Sequence, residues 1–447
     1  MDLPPSASTT IPRLWPFKRT FYGWAIVYTS FLVSFAQVPM YGPVFAVFVK
    51  PIGDDLGWSR STITLAFTIG SLGGSMLSAV VGSLVDRYGA RGVIVVAGMV
   101  VGSALLGVAA MTEPWHFWLA YGAGRAAAVA GIGLGTSVSI ANWFVVKRGR
   151  AAAIRGMGQR LGQSVMPLLI LPVLVLIGWR EAFLLLGLVA VVFISLPAGL
   201  FLRRRPEDMG FLPDGVIPGQ AHDAAQAAPG RAETEYSWTL GQARRTRTLW
   251  VLTMGMALGL AAQIAVNVHV VASFEDQGMS EVLAVTVVTI FGGVSAVSML
   301  AWGFLAERLH VRLVAMICMA LYAVSMLVLL AAGVSYVVAV LFAVLFGLAT
   351  GGWTIAQVLM VANYFGRRHA GSIRGFVAPI EGLVAISGPL VAAVIRDTTG
   401  TYDSAYWAAT VVFGASFAAF LLARPPAVPV SPQHSGEHDS RAQEDSG

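Results

Sequence analysis

The feature that most constrains this chain is a series of apolar segments, each long enough to cross a bilayer. A membrane-spanning helix needs about 20 mainly apolar residues. Such segments fall near 22–48, 61–84, 92–111, 116–141, 151–177, 182–202, 249–272, 282–305, 312–332, 335–361, 373–395 and 405–423. We number these twelve segments spans 1 to 12. They predict an all-α membrane protein in which every span is a helix.

The composition agrees with a surface that faces lipid. Only 12% of the 447 residues are charged, whereas a soluble domain carries roughly 25%. The basic residues lie in short clusters between the spans, so we predict membrane lipid as a partner and no nucleic acid. The single cysteine, Cys318, cannot build a disulfide framework or a cysteine metal site. No nucleophile–base pair, metal-ligand cluster or phosphate loop is present, so we predict no enzyme activity, no metal and no cofactor.

The distribution of Lys and Arg predicts the orientation. With an even number of spans, both termini lie on one side, and that side carries 23 basic residues against 4 on the other. The positive-inside rule therefore places both termini in the cytoplasm. Residues 1–20 lack a signal peptide's basic start and short apolar core, so they form a cytoplasmic N-terminal segment. We expect disorder within the linker 203–248 and in the tail 425–447, and an amphipathic helix at 238–245.

An internal repeat divides the chain into bundles 21–202 and 249–424. The loops after spans 2 and 8 read GSLVDRYGAR (82–91) and GFLAERLHVR (303–312), so Gly, acid, Arg and Arg recur 221 positions apart. NWF (142–144) and NYF (363–365) recur at the same distance, and IRG opens both span 5 and span 11. Internal repeats mark secondary transporters, whose binding sites lie near the bilayer midplane.

The pattern at 82–91 resembles the loop 2–3 signature of the major facilitator superfamily. Further stretches are FYGW (21–24), FVKPI (48–52), LGWSR (56–60), RPEDMG (205–210), PDG (213–215), VHVV (268–271) and DQG (276–278). Together they look like its bacterial monocarboxylate-transporter-like and oxalate–formate antiporter branch. The resemblance implies the superfamily's fold of two pseudo-symmetric six-helix bundles, a bacterial plasma membrane location and transport of a small organic anion. Span 8 lacks the acid and arginine that this branch often carries, which leaves the substrate class open.

Three ionisable residues lie well inside spans: Arg125 in span 4, Arg160 in span 5 and Glu381 in span 11. Such a charge is costly in a bilayer and usually faces a cavity or a partner. Arg125 is either a hydrogen-bonding or snorkelling scaffold residue or a site cation. Arg160 is either half of a salt bridge or a carboxylate clamp. Glu381 lies at a similar predicted depth to Arg160, so we predict that they pair or compete, with Glu381 carrying the coupling proton or only neutralising Arg160.

Uncharged polar and aromatic residues complete the predicted substrate site. They flank Arg160 or lie on spans 1, 7 and 10. The resemblance implies that these three spans line the cavity together with span 4. They are Gln159, Gln163, Gln37, Tyr41, Gln263, Asn267, Trp353 and Gln357. Each could instead make only a helix-packing hydrogen bond. His269, near the outer end of span 7, is predicted to be structural or water-facing.

The charges at the two repeated loops are predicted to form a gate. They are Asp86, Arg87, Arg91, Glu307, Arg308 and Arg312. Ion pairs of this kind can hold one conformational state and break in the other. The alternative is that these charges only fix the topology.

The predicted function is secondary active transport, since no ATP-binding motif is present. The first hypothesis is a monomeric carrier for a mono- or dicarboxylate-like anion, working by proton symport or anion exchange. An alternative is a proton-coupled exporter of amphiphilic or cationic compounds, with Glu381 as the cation contact. A third is a membrane sensor or scaffold that transports nothing.

Overall fold

A computed structural model describes residues 21–215, 236–332 and 335–427. In these ranges the regular elements are helices, and eleven of them are long and apolar enough to cross a membrane. Spans 2 to 12 are Arg60–Tyr88, Ala90–Ala109, Pro114–Trp143, Arg148–Ile177, Trp179–Phe201, Arg247–Asp276, Glu281–Arg308, Val311–Ala332, Tyr336–Phe365, Ala370–Thr399 and Asp403–Leu422. The prediction of an all-α membrane protein is confirmed.

Span 1 differs from its prediction because it is not one continuous helix. It comprises Gly23–Ala36, a 3₁₀ turn at Val38–Met40 and a second helix, Gly42–Leu56. Pro39 and Pro43 lie at this break, where proline removes a backbone donor and cannot continue a helix from its interior. Hydrophobicity alone does not register such a break, since both helices are apolar.

Local sequence signals end and start the other helices. Ser59 and Ser335 cap spans 2 and 10 by accepting a backbone N–H three residues on. Gly89 and Gly366 end the same two spans with φ of 86° and 79°, values that glycine adopts at little cost. The turns between consecutive spans are therefore short.

The packing of the helices repeats between the halves. In the N-terminal half, span 1 packs on span 5, span 2 on span 4, and span 3 on spans 4 and 6. In the C-terminal half, span 7 packs on span 11, span 8 on span 10, and span 9 on spans 10 and 12. The halves meet where span 2 packs on span 11 and span 5 packs on span 8. This arrangement confirms the two pseudo-symmetric bundles.

The described linker residues 203–215 and 236–246 and the loops 2–3, 4–5, 8–9 and 10–11 lie on one side, which we call the linker face. Trp238 is buried there, and its backbone N–H donates to the Phe365 carbonyl at 2.9 Å. The amphipathic helix predicted at 238–245 is a single turn, Leu240–Ala243, because Trp238 anchors the chain in an extended conformation just before it. The segments 1–20 and 428–447, and the linker's middle at 216–235, lie outside the described residues.

Candidate functional site

A cavity of about 360 Å³ lies between the two halves. Helices from both halves line it: spans 1, 2, 4 and 5 on one side and spans 7, 10 and 11 on the other. Its larger polar or charged lining residues are Tyr41, Arg155, Gln159, Arg160, Gln263, Gln357 and Arg374. The remaining lining is small or apolar, and the volume suits a small molecule. Among the described lining residues, three are arginines and none is an acid.

Arg155 lies near the start of span 5 and is only 6% exposed. Its Nε donates to Thr136 Oγ1 at 3.0 Å and its Nη2 to the Gly133 carbonyl at 3.2 Å. Gly133 ends a π-helical stretch of span 4, Ala128–Gly133, and such stretches disturb the regular i→i−4 bonding. From the sequence, Arg155 was one of the basic residues that set the topology, and its place in the cavity lining was not predicted. Its match with Arg374 in the repeat was the available signal.

Arg160 lies deeper in span 5 and reaches towards the other half. Its Nη2 contacts Thr354 Oγ1 of span 10 at 3.4 Å, which is its one hydrogen bond among the described residues. The predicted ion pair with Glu381 does not form, so the pairing alternative is wrong. Gln159 lines the cavity beside Arg160, whereas the half-buried Gln163 does not.

Glu381 pairs with Arg374 of its own helix instead. Arg374 Nη1 donates to both carboxylate oxygens, at 2.7 and 2.6 Å, and the Glu381 side chain is 4% exposed. The two residues are seven positions, or about two helical turns, apart, so they share a face of span 11. This partner was not predicted, because the predicted pair joined residues of similar depth on two helices rather than residues along one helix. Glu381 therefore neutralises Arg374 and leaves Arg160 without an acid.

Arg125 lies outside the cavity lining and makes two hydrogen bonds and two aromatic contacts. Its Nη1 donates to the Met40 carbonyl at 2.6 Å and its Nε to Ser71 Oγ at 3.1 Å. The guanidinium lies 4.5 Å from the ring of Tyr41 and 4.4 Å from the ring of Phe67. Met40 closes the break in span 1, so Arg125 stabilises that break and positions Tyr41. These contacts favour the scaffold alternative for Arg125.

Spans 1, 7 and 10 each carry two predicted site residues, four positions apart, and only one residue of each pair lines the cavity. Tyr41, Gln263 and Gln357 line it. Gln37 does not line the cavity, because the break in span 1 separates its face from that of Tyr41. It is fully buried, and its amide has no partner among the described residues. Asn267 is exposed outside the cavity, and Trp353 packs against Phe420. One turn of helix moves a side chain roughly 6 Å along the axis, which is enough to leave a cavity of this size.

His269 lies outside the cavity lining as well. Its Nε2 is 3.0 Å from the Pro389 carbonyl, and its Nδ1 is 3.4 Å from the Tyr402 hydroxyl. These contacts join spans 7 and 11 and the start of span 12, so they fit the structural alternative.

The two acids of the predicted gate cross between the halves at the linker face. Asp86 accepts hydrogen bonds from the N–H groups of Gly371 and Ser372, at 2.9 and 2.7 Å, where span 11 begins. Glu307 accepts from the N–H and the Nε of Arg150, at 3.1 and 2.9 Å, where span 5 begins. The first turn of a helix has unpaired N–H groups and a positive dipole end, so carboxylates bind there favourably.

The four predicted gate arginines do not form cross-half ion pairs in the described residues. Arg87 lies 5.3 Å from the Tyr88 ring, and Arg312 donates to the Leu421 carbonyl of its own half at 2.7 Å. Arg91 and Arg308 are exposed. The acids, rather than the arginines, therefore join the halves.

Glycines permit the close approach of the helices at this gate. A Cβ on Gly82 of span 2 would lie 2.1 Å from the Gly371 carbonyl oxygen. A Cβ on Gly149 of span 5 would lie 2.2 Å from the Gly303 carbonyl oxygen of span 8. Both distances are too short for real atoms, so the closed linker face requires glycine at these positions.

The first part of the linker, residues 203–215, forms a strap across the linker face. Asp214 accepts three backbone N–H bonds from residues 145–147, at 2.8 to 2.9 Å. Arg204 Nη2 donates to the Asp86 carbonyl at 2.7 Å. These contacts fix the strap to the N-terminal half. Glu207 then forms an ion pair with Arg367 of the C-terminal half.

Comparison with known proteins identifies relatives over most of the chain. The sequence model of the family described as Major Facilitator Superfamily matches residues 27–300 and 272–444. An MFS-type transporter of Gibberella moniliformis is 26% identical over 351 residues, which cover 77% of this chain and 78% of that protein.

Two solved structures share the fold at low sequence identity. The proton:xylose symporter XylE matches with a TM-score of 0.70 and 15% identity, covering 91% of this chain and 96% of its own. The human organic anion transporter MFSD10 (TETRAN) matches with a TM-score of 0.67 and 16% identity, covering 94% of this chain and 100% of its own. At these identities the likeness extends to the fold alone.

Proposed function

The chain belongs to the Major Facilitator Superfamily, and on this premise we propose that it is a secondary active transporter for a small organic anion. The solute is mono- or dicarboxylate-like and moves by proton symport or anion exchange. Alternating access is the transport mode: the cavity opens to one face while the gate closes the other. The gate contacts fit this mode, because Asp86 and Glu307 each join the halves through hydrogen bonds to the first turn of a helix in the opposite half, and such bonds can break when the face opens.

The observation that supports an anion is the unbalanced positive charge of the cavity. Arg155 and Arg160 line it without a carboxylate partner, and only Arg374 is neutralised, by Glu381. A charge that is removed from water is stable only with a counter-charge or a full set of hydrogen bonds. An anionic substrate would provide that counter-charge, and guanidinium groups match carboxylates well.

The same contacts disfavour the export of cationic compounds. That alternative needs an acid that is free to receive a cation, and Glu381 was its candidate. The carboxylate of Glu381 is almost fully buried, and Arg374 occupies both of its oxygens. A cation entering the cavity would meet three arginines first.

Uptake into proteoliposomes tests the proposal. The purified protein is reconstituted with an inward proton gradient or with internal carboxylate, and uptake of labelled formate, lactate, oxalate and succinate is measured. We expect uptake of at least one of these, with uptake of the preferred carboxylate strongly reduced by Arg160→Ala and retained by Arg125→Ala in the protein that remains folded. If no carboxylate binds or moves while a cationic dye is exported, the anion proposal fails.

Glu381 is the proposed coupling acid. Protonation of its carboxyl group would release Arg374 to contact the substrate, so proton binding and anion binding would favour each other. In Glu381→Gln, uptake driven by a proton gradient should fall to the level without a gradient, while exchange against internal anion continues. Unchanged gradient-driven uptake in this variant would exclude Glu381 as the coupling residue.

The cellular setting remains a proposal. The distribution of Lys and Arg supports cytoplasmic termini. The bacterial plasma membrane and the monocarboxylate or oxalate–formate branch rest on the motif resemblance, whereas the curated relative described above is fungal. The monomeric state and the domain boundaries also stay predictions.

A further inference from the structure

Within the proposed anion transport, on which this inference rests, we infer that the substrate is an elongated dianion. Arg155 binds one of its anionic groups and Arg160 binds the other. A dicarboxylate with carboxylates at both ends of a four- or five-carbon chain has this chemistry. The inference depends on the charge balance of the cavity, the positions of the two guanidiniums and their unused hydrogen-bond donors.

The charge balance requires two negative charges. Three guanidiniums line the cavity, and Glu381 balances only the one on Arg374. A monoanion would leave one guanidinium without a counter-charge once the cavity closes around the substrate and excludes water, which is unfavourable. While Glu381 stays ionised, as in anion exchange, a dianion neutralises the two remaining guanidiniums, so the loaded carrier changes conformation without an unbalanced buried charge.

The two unbalanced guanidiniums are held in different places. Thr136 and Gly133 fix Arg155 to span 4, in the N-terminal half. Arg160 is directed to Thr354 of span 10, in the C-terminal half. Their backbones are five residues apart on span 5, which is roughly 7.5 Å along the helix axis and on different faces. Two carboxylates at opposite ends of a short chain can bind both guanidiniums where they are held, whereas a single carboxylate would have to draw at least one of them away from its present partner.

Each guanidinium keeps donors for one anionic group. Within the described part of the chain, Arg155 uses Nε and one N–H of Nη2, and its Nη1 has no partner. Arg160 uses Nη2 alone there, and its Nε and Nη1 have none. A guanidinium has five donors in a planar fork, and each of these two can still bind a carboxylate through two N–H groups. The bound dianion would thereby connect a site held by the N-terminal half with one that faces the C-terminal half.

A matched pair of substrates tests the inference at neutral pH. Succinate and monomethyl succinate have nearly the same length, but the ester removes one negative charge. In wild-type proteoliposomes we expect the apparent affinity for succinate to exceed that for monomethyl succinate by at least about tenfold, since an unpaired buried charge is costly. Oxalate has two charges but is too short for both arginines, so its affinity should be as low as that of the monoester.

Arginine variants assign the two ends. Arg155→Gln and Arg160→Gln should each lose most of the preference for succinate and transport the monoester at least as well as wild type. Arg155→Lys and Arg160→Lys keep the positive charge and should restore part of the preference, which separates charge from folding. Equal affinity for succinate and its monoester, with uptake that still depends on Arg160, would overturn the dianion inference and leave anion transport intact. Absence of any carboxylate uptake would overturn the proposed function itself.

Discussion

Arg125 illustrates how a charge inside a membrane helix can serve the fold rather than the substrate. The break in span 1 leaves the Met40 carbonyl at a point where helical bonding is interrupted, and Arg125 donates to that oxygen. Removing the donor would leave a buried acceptor unpaired, which costs about 1–3 kcal/mol. The rings of Tyr41 and Phe67 on either side of the guanidinium add cation–π attraction.

We therefore predict that Arg125→Leu lowers the thermal unfolding temperature of the detergent-solubilised protein by several degrees. The matched variant is Arg160→Leu, which loses only a 3.4 Å contact and should change the unfolding temperature much less. Scanning fluorimetry of the two variants measures the difference. If Arg160→Leu destabilises the protein as much as Arg125→Leu, the division into a scaffold arginine and a site arginine is wrong.

The ion pair of Glu381 and Arg374 gives a second prediction. Glu381→Gln leaves a partly buried arginine without its counter-charge, which should destabilise the protein by about 1–3 kcal/mol. The double variant Arg374→Gln/Glu381→Gln removes both charges and should recover most of the loss. Unfolding measurements on both single variants and the double variant give the coupling energy of the pair. A double variant that is less stable than either single variant would contradict a direct pair.

The intramembrane residues show what the sequence could and could not predict about the site. Arg160 and Glu381 were evident because a charge stands out within an apolar run. Arg155 and Arg374 lie near the ends of their spans, where a sequence does not distinguish a loop charge from one that faces a cavity. The pairing of Glu381 depends on the direction of its side chain along span 11. The seven-residue spacing permits a pair with Arg374, but spacing alone does not decide which of several arginines Glu381 binds.

At the level of helices, the apolar segments predicted the architecture well because lipid requires continuous apolar helices. The internal repeat predicted the two bundles for a related reason: equivalent residues make equivalent contacts. Asp86 and Glu307 occupy the same position in the two repeats, and each binds the first turn of a helix in the opposite half. The break in span 1 was not predicted, because prolines also occur inside uninterrupted helices, as in spans 5 and 11.

The helix crossings at the gate give a third prediction. Gly82→Leu and Gly149→Leu place a side chain where even a Cβ would lie about 2 Å from a carbonyl oxygen of the other half. Each should force the linker face open. Spin labels at Tyr88→Cys and Arg308→Cys, in a Cys318→Ser background, report the distance between the halves.

The control for these variants is Gly92→Leu. A Cβ on Gly92 has no atom within 4 Å, so this change should leave the label distance as in the parent protein. Access of a bulky reagent to the cavity from the linker side should increase in Gly82→Leu and Gly149→Leu and stay unchanged in Gly92→Leu. A label distance in Gly82→Leu that equals that of Gly92→Leu would show that the glycine contacts do not hold the face closed.

Across the whole protein, the strap is the part of the linker that contacts both halves. Asp214 and Arg204 bind it to the N-terminal half, so it should move with that half as one body. Among the described residues, the strap forms an ion pair with the C-terminal half through Glu207, which binds Arg367. Arg367 also donates to the Asn142 carbonyl at 2.9 Å, so this one side chain joins the strap, span 4 and the loop before span 11. Opening of the linker face has to break the Glu207 pair.

The last prediction follows from that geometry: Glu207→Gln shifts the conformational equilibrium towards an open linker face. A partly exposed ion pair contributes up to about 1 kcal/mol, so the shift in population should be at most about fivefold. Asp276→Asn is the matched control, since it removes an exposed ion pair with Arg396 that stays within the C-terminal half. The same label pair measures both populations. Because screening weakens exposed pairs, added salt should move wild type towards Glu207→Gln and leave that variant nearly unchanged. An equal shift in Asp276→Asn would mean that general surface charge, rather than the strap, controls the opening.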